Sequence, residues 1–296
     1  MPASLPLRPL GRTGLQVSAL GLGAGQIGDP ALDEREVAAL VDGALDLGIN
    51  VIDAARSYGC AEERLGRLLR GRRDDVVLST KVGYGIAGVP DWTAEAVARG
   101  IDEALVRLGT DVLDIVHLHS CAADVLSAGD VVAPLEDAVR AGKVRVAAYS
   151  GDNRDLDVAL GLGVFGVVQT SLNLCDQRAA RVMDRARRAG VAIIAKRPVA
   201  NAPWRFDARP VGDECEPYWL RWRGLGYDPG DVPWDELAIR FAAHFPGVAT
   251  AVVGTRRLAH LRRNAEHVAR GPLPDERFLH VRDRFNERGY AWPGRV

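Results

Sequence analysis

Six polar residues stand at the ends of successive apolar runs in the 296-residue chain. They are Asp53, Lys81, His119, Ser150, Gln169 and Lys196, and Tyr58 follows shortly after the first of them. Each run has the length of a buried strand, and barrel enzymes carry their chemistry where such strands end. One polar residue in such a place would be an ordinary cap or a solvated charge. Six of them in succession indicate a functional site.

Four of these side chains have the types that carbonyl reduction needs. A free phenol has a pKa of about 10 and donates its proton poorly at neutral pH, but a nearby ammonium group favours the phenolate. Lys81 could provide that ammonium group for Tyr58, and Asp53 would keep Lys81 charged and oriented. His119 could hydrogen-bond and polarise the carbonyl. The hydride would have to come from a nicotinamide.

Eight apolar runs alternate with amphipathic helical patterns and must position these residues. The runs are VSALGLG from residue 17, INVIDA from 49, VVLSTK from 76, DIVHLH from 114, VRVAAYS from 144, GVVQTS from 166, VAIIAK from 191 and VATAVVG from 248. Helices are predicted to begin at Asp33 and Thr93, and a third to run from about Asp176 to Gly190. This alternation predicts an α/β fold, a (β/α)8 TIM barrel, with a doubly wound sheet as the alternative. We expect one domain over residues 1–296.

Two segments are predicted to be additions to the barrel. LPLRPLGRTGLQVS, which begins at residue 5, has the pattern of an N-terminal β-hairpin that turns at Arg12–Gly14. Residues 200–232 are predicted to form one long loop on the C-terminal face, rich in Pro, Gly and Trp. Trp92, Trp204 and Trp219 are candidates for contacts with an apolar or ring-bearing substrate.

The spacing Gly23-x-Gly25-x-x-Gly28 is that of a dinucleotide-binding turn. In a Rossmann unit a helix follows these glycines, but Asp29-Pro30 breaks any helix that begins here. We therefore interpret the match as a coincidence and expect this first barrel loop, with Ala24 and Gly25, to approach the nicotinamide.

Composition argues against several other classes. The formal net charge is −1 with both signs interspersed, so nothing indicates a nucleic-acid partner. The longest apolar runs are too short to span a bilayer, and the first residues lack the pattern of a secretion signal. The four cysteines are far apart, which favours reduced thiols and a cytoplasmic location.

The same segments resemble the aldo-keto reductase family over nearly the whole chain. LGRTGLQVSALGLGAG is similar to the family's opening, GINVIDAARSYGCAEERLGRLL to its aspartate and tyrosine segment, VVLSTKVG to its lysine segment and DVLDIVHLH to its histidine segment. VVQTSLNL resembles the glutamine segment, and AVVGTRRLAHLRRNAEHV the segment for the adenosine phosphate. The resemblance implies an NADPH-dependent barrel without metal and a catalytic tetrad of Asp53, Tyr58, Lys81 and His119.

The resemblance also implies where the cofactor is held. The implied contacts are Ala24, Gly25, Asp53, Ser150, Gln169, Lys196, Gly254, Thr255, Arg256, His260, Arg263 and Asn264. We expect Gly254 and Thr255 to start a helix whose N-terminus receives phosphate. A 2′-phosphate prefers guanidinium groups, which favours NADPH over NADH. Arg257 and Arg262 are interpreted as a solvated helix face.

Two positions depart from the family pattern. The family usually has Ser-Asn after the fifth strand to hold the carboxamide, whereas this chain has Ser150-Gly151, so Asp152 or Asn153 would have to replace the missing side chain. Many members have an aromatic residue after the seventh strand that stacks on the nicotinamide, and Lys196 takes this place. We expect cofactor binding to be retained with altered geometry or substrate preference.

Two other functions remain open at this point. The chain could be an NADPH-binding sensor or regulatory subunit with little turnover, although the intact tetrad argues for an enzyme. It could also be a metal-dependent barrel hydrolase, because His117-x-His119 places two imidazoles on one side of a strand. No second histidine cluster accompanies this pair, so we interpret His117 as a residue packed inside the barrel.

Overall fold

A computed structural model describes residues 5–295 and shows an antiparallel hairpin in front of a closed barrel. The hairpin pairs β1 (Leu7–Pro9) with β2 (Gln16–Ser18), which confirms the prediction for this segment. Leu10 and Val17 pack with apolar residues near the beginnings of the barrel strands. The hairpin therefore covers the end of the barrel opposite the strand carboxyl ends. Residues 1–4 and 296, which the predicted domain includes, lie outside the described residues.

Eight parallel strands form the barrel. They are β3 (Leu20–Gly23), β4 (Val51–Asp53), β5 (Val77–Val82), β6 (Leu113–His119), β7 (Val144–Ser150), β8 (Val167–Ser171), β9 (Ala192–Lys196) and β10 (Val248–Gly254). Each pairs with the next along the chain, and β10 pairs with β3 to close the sheet. The predicted (β/α)8 TIM barrel is confirmed. The doubly wound alternative is wrong, because a doubly wound sheet has two free edge strands, whereas here β10 pairs with β3 and closes the sheet.

Helices surround the barrel. They are α1 (Glu34–Asp46), α2 (Ala61–Leu68), α3 (Ala94–Leu108), α4 (Ala123–Ala128), α5 (Ala133–Arg140), α6 (Asn153–Leu162), α7 (Met183–Ala189), α8 (Glu216–Leu225), α9 (Trp234–Ala243), α10 (Leu258–Ala269) and α11 (Asp275–Arg288). The predicted caps are present: Asp33 accepts from the backbone N–H groups of Arg35 and Glu36, and Thr93 accepts from that of Ala96.

Three segments differ from their predictions in detail. The run from residue 17 is divided, because Ser18 ends β2 and the barrel strand begins only at Leu20. The interval from Asp176 to Gly190 holds a 3₁₀ turn before α7, which ends as expected at Gly190 with φ 75°. Residues 200–232 are not one continuous loop, because α8 forms within them.

Helix α8 lies in a segment whose composition predicts a loop. Tyr218 and Leu225, seven residues apart, are its buried side chains, and Pro217 stands in its first turn, where a proline is tolerated. The many aromatic and glycine residues around it obscured this spacing. Within residues 5–295, no helix has the length and apolar composition needed to cross a membrane.

Candidate active site

The barrel register brings the predicted tetrad together at the carboxyl ends of three neighbouring strands. Asp53 ends β4 and aligns with Ser79 on β5, while Lys81 on β5 aligns with His117 on β6. His119 ends β6. Tyr58 follows in the loop after β4, and its ring meets the His119 ring edge to face with 6.2 Å between centroids.

A buried ion pair lies at the base of the tetrad. Lys81 Nζ is 2.7 Å from Asp53 Oδ2 and also donates to the Ala54 carbonyl at 2.7 Å, while Ser79 Oγ donates to Asp53 Oδ1 at 2.9 Å. Burial alone would raise the pKa of Asp53, but the charge of Lys81, the proximity of His117 and the hydrogen bonds from Lys81 and Ser79 together outweigh it and lower this pKa. Burial likewise opposes the charge of Lys81, but Asp53 and then Tyr58 outweigh it and raise the Lys81 pKa. Both groups are therefore held charged.

Tyr58 lies over this ion pair and is held there by glycines. The Lys81 Nζ is 4.8 Å from the centroid of the Tyr58 ring. A Cβ on Gly28 would come within 1.7 Å of the Tyr58 carbonyl oxygen, and Gly59, with φ 52°, fits against the Gly28 carbonyl. The loops after β3 and β4 can pack this closely only because both residues lack side chains.

The glycine motif at residues 23–28 therefore has a local role in the packing of the Tyr58 loop. A 3₁₀ turn over Gln26–Gly28 follows Gly25, where a Rossmann unit would begin its helix. The closed sheet also excludes that fold. Gly25 lies beside the tetrad, since a Cβ there would be 3.9 Å from Tyr58 Cδ2.

His119 is a neutral imidazole in this environment. Desolvation by burial, followed by the charge of Lys81, lowers its pKa to about 3. Its Nδ1 is 2.7 Å from the hydroxyl of Tyr84, a residue that the sequence analysis missed. The signal that could have found Tyr84 is its position three residues after Lys81, just beyond the end of β5.

His117 is enclosed in the barrel, as interpreted from the sequence. It is fully buried, and its Nε2 is 3.0 Å from Ser79 Oγ. Desolvation by burial lowers the pKa of His117 to about 4. In residues 5–295, no group of three or more His, Cys, Asp or Glu side chains is arranged to hold a metal ion.

The two histidines should make the protein sensitive to acid. A histidine whose folded pKa lies below its unfolded value stabilises the fold above pH 6.5, and this contribution is lost as the pH falls towards the folded pKa. For His117 the loss between pH 6.5 and 4 is at most about 3 kcal/mol, and His119 adds to it. Asp176 acts in the opposite direction, because desolvation raises its pKa to about 6 and its contribution is lost as the pH rises.

We therefore expect the free energy of unfolding to fall on acidification from pH 6.5 to 4, because His117 and His119 together outweigh Asp176, and burial also lowers the pKa of His244 and His260. Urea titrations at several pH values, followed by tryptophan fluorescence, would measure this slope. His117→Gln should reduce the slope. An equal slope in this variant and the wild type would show that His117 is not the group responsible.

Ser150 and Gln169 are paired on the next two strands. Ser150 Oγ donates to Gln169 Oε1 at 3.0 Å, and both residues are buried. The Nε2 of Gln169 is also buried and has no hydrogen-bond partner within residues 5–295. Because a buried amide N–H without a partner is costly, this donor fits the oxygen of a bound carboxamide.

The departure at Gly151 has a steric cause. A Cβ at this position would come within 2.2 Å of the Tyr149 hydroxyl. Tyr149 is fully buried, and its hydroxyl donates to the Cys121 carbonyl at 3.0 Å. A larger residue at position 151 would have to displace this ring, so the usual asparagine is excluded while Tyr149 is present.

Neither proposed replacement for that asparagine is free. Asp152 accepts from Thr170 Oγ1 at 2.7 Å and pairs with Lys196, whose Nζ is 2.9 Å from Asp152 Oδ2. Burial lowers the pKa of Lys196, although Asp152 opposes this shift. Asn153 exchanges two hydrogen bonds with the backbone of Gly294, in the segment after α11. Asp152 thus holds Lys196 at the carboxyl end of β9, the position where many family members have an aromatic residue.

The residues predicted for the adenosine phosphate lie at the end of β10, in the turn after it and along α10. The helix begins at Leu258, three residues later than expected, because Thr255 Oγ1 accepts the N–H of Arg257 in a tight turn first. No side chain caps this helix, so its first N–H groups remain available for an anion. Gly254 packs against the side chain of Gln26, which joins this region to the loop after β3.

The charged members of this set are exposed. Arg256 pairs with Asp29 at 3.0 Å, and Arg263 lies 3.5 Å from Asp235. His260 is exposed on the first turn of α10, and Asn264 is buried one turn further on.

Of the three tryptophans predicted for the substrate, the structure places one next to the tetrad. Trp92 packs against Tyr84 with 5.7 Å between centroids. Trp204 instead stacks on Trp234 at 6.1 Å, and Trp219 Nε1 donates to the Phe206 carbonyl. The latter two contacts secure the segment after β9.

Residues 19–283 match the family model described as Aldo/keto reductase family. The match covers most of the chain, and with the barrel and the site described above it assigns the protein: it belongs to the aldo-keto reductase family. These are oxidoreductases that use nicotinamide cofactors. The resemblance noted in the sequence is confirmed.

Individual relatives include enzymes named for sugars. The chain is 32% identical over 211 residues to the L-galactose dehydrogenase of Arabidopsis thaliana, covering 66% of each protein. It is 34% identical over 173 residues to the 6-dehydroglucose reductase of Novosphingobium aromaticivorans, covering 54% of this chain and 56% of that protein. The chain thus aligns with two thirds or less of the length of either relative.

A solved structure covers nearly all of the fold. The holo form of an aldo-keto reductase from Bacillus halodurans superposes with a TM-score of 0.84 at 26% identity, over 95% of this chain and 96% of that chain.

Proposed function

We propose that the protein is a single-domain, NADPH-dependent reductase that converts an aldehyde or ketone to an alcohol, with Tyr58 as the proton donor. The observation that carries this proposal is the fully buried Lys81–Asp53 pair beneath the Tyr58 ring. A buried ion pair is weak evidence for stability, so its place next to a phenol and an imidazole is best explained by chemistry.

The residues divide the reaction between them. Bound NADPH supplies the hydride that the carbonyl carbon accepts. Tyr58 donates its proton to the carbonyl oxygen as negative charge develops there, and the Lys81 ammonium stabilises the phenolate that remains. Asp53 holds Lys81 in place and charged. The neutral His119 donates a hydrogen bond to the same oxygen and orients the substrate.

Cofactor binding is assigned to both ends of the site. Gln169, with its unpartnered Nε2, and Ser150 would hold the carboxamide, while Ala24, Gly25 and Lys196 would border the nicotinamide. At the other end, the first turn of α10 would receive the 2′-phosphate. The residues assigned to that end are Gly254, Thr255, Arg256, His260, Arg263 and Asn264.

The substrate class that the relatives support is a sugar or sugar-derived carbonyl compound. The names of both relatives refer to sugars. Of the three predicted tryptophans, Trp92 is the one best placed to contact the substrate, because it lies against Tyr84, which stacks on His119. Aromatic faces pack well on the apolar faces of sugar rings, which agrees with this class.

A fluorescence titration with NADPH and NADH tests the cofactor assignment. We expect tight binding of NADPH and much weaker binding of NADH. Arg263→Ala should weaken NADPH binding about ten-fold or more, because a charge-assisted hydrogen bond contributes about 1.5–3 kcal/mol, and should leave NADH binding unchanged. Arg262→Ala is the matched control, since this exposed arginine stands on the same helix and is assigned no ligand.

Three results would count against this assignment. Equal weakening by Arg262→Ala would indicate a general effect of charge, and equal affinity for both cofactors would remove the 2′-phosphate site. If neither cofactor bound, the reductase proposal itself would fail.

A further inference from the structure

Tyr84, a residue outside the tetrad, contacts His119 directly. It lies in the loop after β5, and its hydroxyl oxygen is 2.7 Å from Nδ1 of His119. The two rings stack with 5.4 Å between their centroids and 27° between their planes. Tyr84 therefore restricts both the position and the hydrogen bonding of the imidazole.

The loop that carries Tyr84 is held on two sides. Gly83 has φ 129°, and a Cβ at this position would come within 2.2 Å of the Trp92 ring. The backbone N–H of Trp92 donates to the Gly83 carbonyl at 2.7 Å. On the other side, Arg56 Nε donates to the Gly85 carbonyl at 2.8 Å. These contacts fix the backbone on both sides of Tyr84 and so set where its side chain begins.

The other ring nitrogen of His119 is available to a substrate. Within the described residues, Nε2 makes no hydrogen bond to the protein, whereas Nδ1 has its contact with Tyr84. Desolvation keeps the pKa of His119 at about 3, so the ring is neutral near pH 7. A neutral imidazole carries a proton on one nitrogen and accepts at the other. The partner of Nδ1 thus decides what Nε2 can do.

We propose that Tyr84 is a positioning residue that fixes the tautomer of His119: its hydroxyl donates to Nδ1, so that Nε2 keeps its N–H and points it at the substrate oxygen. Ser57 completes the chain: its Oγ is 3.2 Å from the Tyr84 hydroxyl. Either hydroxyl can donate in this contact, so when Tyr84 gives its single proton to Nδ1, its oxygen accepts from Ser57. This inference rests on the proposed carbonyl reduction, in which the imidazole must be a donor. The opposite tautomer would direct a lone pair at the carbonyl oxygen.

Nitrogen NMR of the ¹⁵N-histidine-labelled protein tests the tautomer without any turnover. The His119 signals can be assigned by their loss in His119→Gln. We expect an unprotonated, pyridine-type Nδ1 and a protonated, pyrrole-type Nε2 in the wild type. In Tyr84→Phe the two signals should move towards each other, as both tautomers become populated. A protonated Nδ1 in the wild type would overturn the proposal.

Kinetics separate positioning from a structural role. Tyr84→Phe should lower kcat about ten-fold, the order that one hydrogen bond on a reacting group contributes, with little change in KM for the cofactor. Tyr227→Phe is the matched control. Its hydroxyl is likewise hydrogen-bonded, but it donates to the Leu174 carbonyl, away from the tetrad, so this variant should lose stability and keep its kcat. An unchanged kcat and an unchanged His119 spectrum in Tyr84→Phe would refute the proposal.

A second variant keeps the test decisive if Tyr84→Phe folds poorly. Ser57→Ala leaves the Tyr84 ring in place and removes only the donor to its oxygen, so the His119 signals should move in the same direction by a smaller amount. If the wild type shows the expected tautomer but reduces no carbonyl, the reductase proposal fails while the Tyr84 assignment stands. If the wild type reduces carbonyls while Nδ1 of His119 is protonated, the Tyr84 assignment fails and the reductase proposal stands.

Discussion

Tyr58→Phe should lose at least about 10³-fold in kcat for carbonyl reduction, because a positioned general acid typically contributes about 10²–10⁴-fold. The phenylalanine ring keeps the shape that packs between the glycine-bordered loops after β3 and β4. Removing one hydroxyl leaves Gln169, Ser150 and the first turn of α10 untouched. The affinity for NADPH should therefore remain within about two-fold of the wild type, since no assigned cofactor contact is lost.

Steady-state rates with a reactive aldehyde, together with a fluorescence titration of NADPH, would measure the two effects separately. A matched circular dichroism spectrum would show that the variant is folded. Full activity in Tyr58→Phe would contradict the assigned proton donor. A parallel loss of NADPH affinity would instead place Tyr58 in the cofactor site.

Asp53→Asn should have the second large effect, on stability as well as on activity. It removes the carboxylate that pairs with the buried Lys81 ammonium group, whose Nζ is 2.7 Å from Asp53 Oδ2. Breaking one side of a buried ion pair costs about 3–5 kcal/mol, because the remaining charge stays desolvated. The ammonium of Lys81 would then tend to lose its proton, and the phenolate of Tyr58 would lose its stabilising charge. Urea unfolding and kcat would both record the loss.

The chain offers a close control for this effect. Lys143 and Asp102 form an ion pair of the same type, also at 2.7 Å, but with about half of each side chain exposed. Asp102→Asn should change the free energy of unfolding by about 1 kcal/mol or less. The double variant Asp53→Asn/Lys81→Met should regain much of the stability and remain inactive. If Asp53→Asn and Asp102→Asn lowered the free energy of unfolding equally, burial of the Lys81–Asp53 pair would not explain the effect.

Much of the architecture could be predicted because it depends on local patterns. Every barrel strand coincides with an apolar run, and Asp33 and Thr93 cap the helices that were assigned to them. Parallel strands that close a barrel must bring their carboxyl ends together, so polar residues at those ends meet whatever the loops do. This is why Asp53, Lys81 and His119 could be grouped from sequence alone.

The features that were missed depend on contacts between distant segments. The position of Tyr84 just beyond β5 marks it as a candidate, but its contact with His119 could not be predicted, because the distance is set by how the loop after β5 folds back on Trp92. The reason for Gly151 likewise lies in the ring of Tyr149, which points at it in the folded chain. Helix α8 was not predicted, because the Pro, Gly and Trp residues of its segment favour a loop and only two buried side chains carry the helical spacing.

The most direct test of the account is the transfer of hydrogen from cofactor to substrate. The purified protein would be incubated with NADPH in which both hydrogens at C4 are replaced by deuterium and with a panel of aldoses and simple aldehydes, and the alcohols would be analysed by mass spectrometry. We expect one deuterium in the product alcohol with wild-type protein and none above background with Tyr58→Phe. Products without deuterium, from a protein that demonstrably binds NADPH, would contradict the reductase and favour a cofactor-binding sensor.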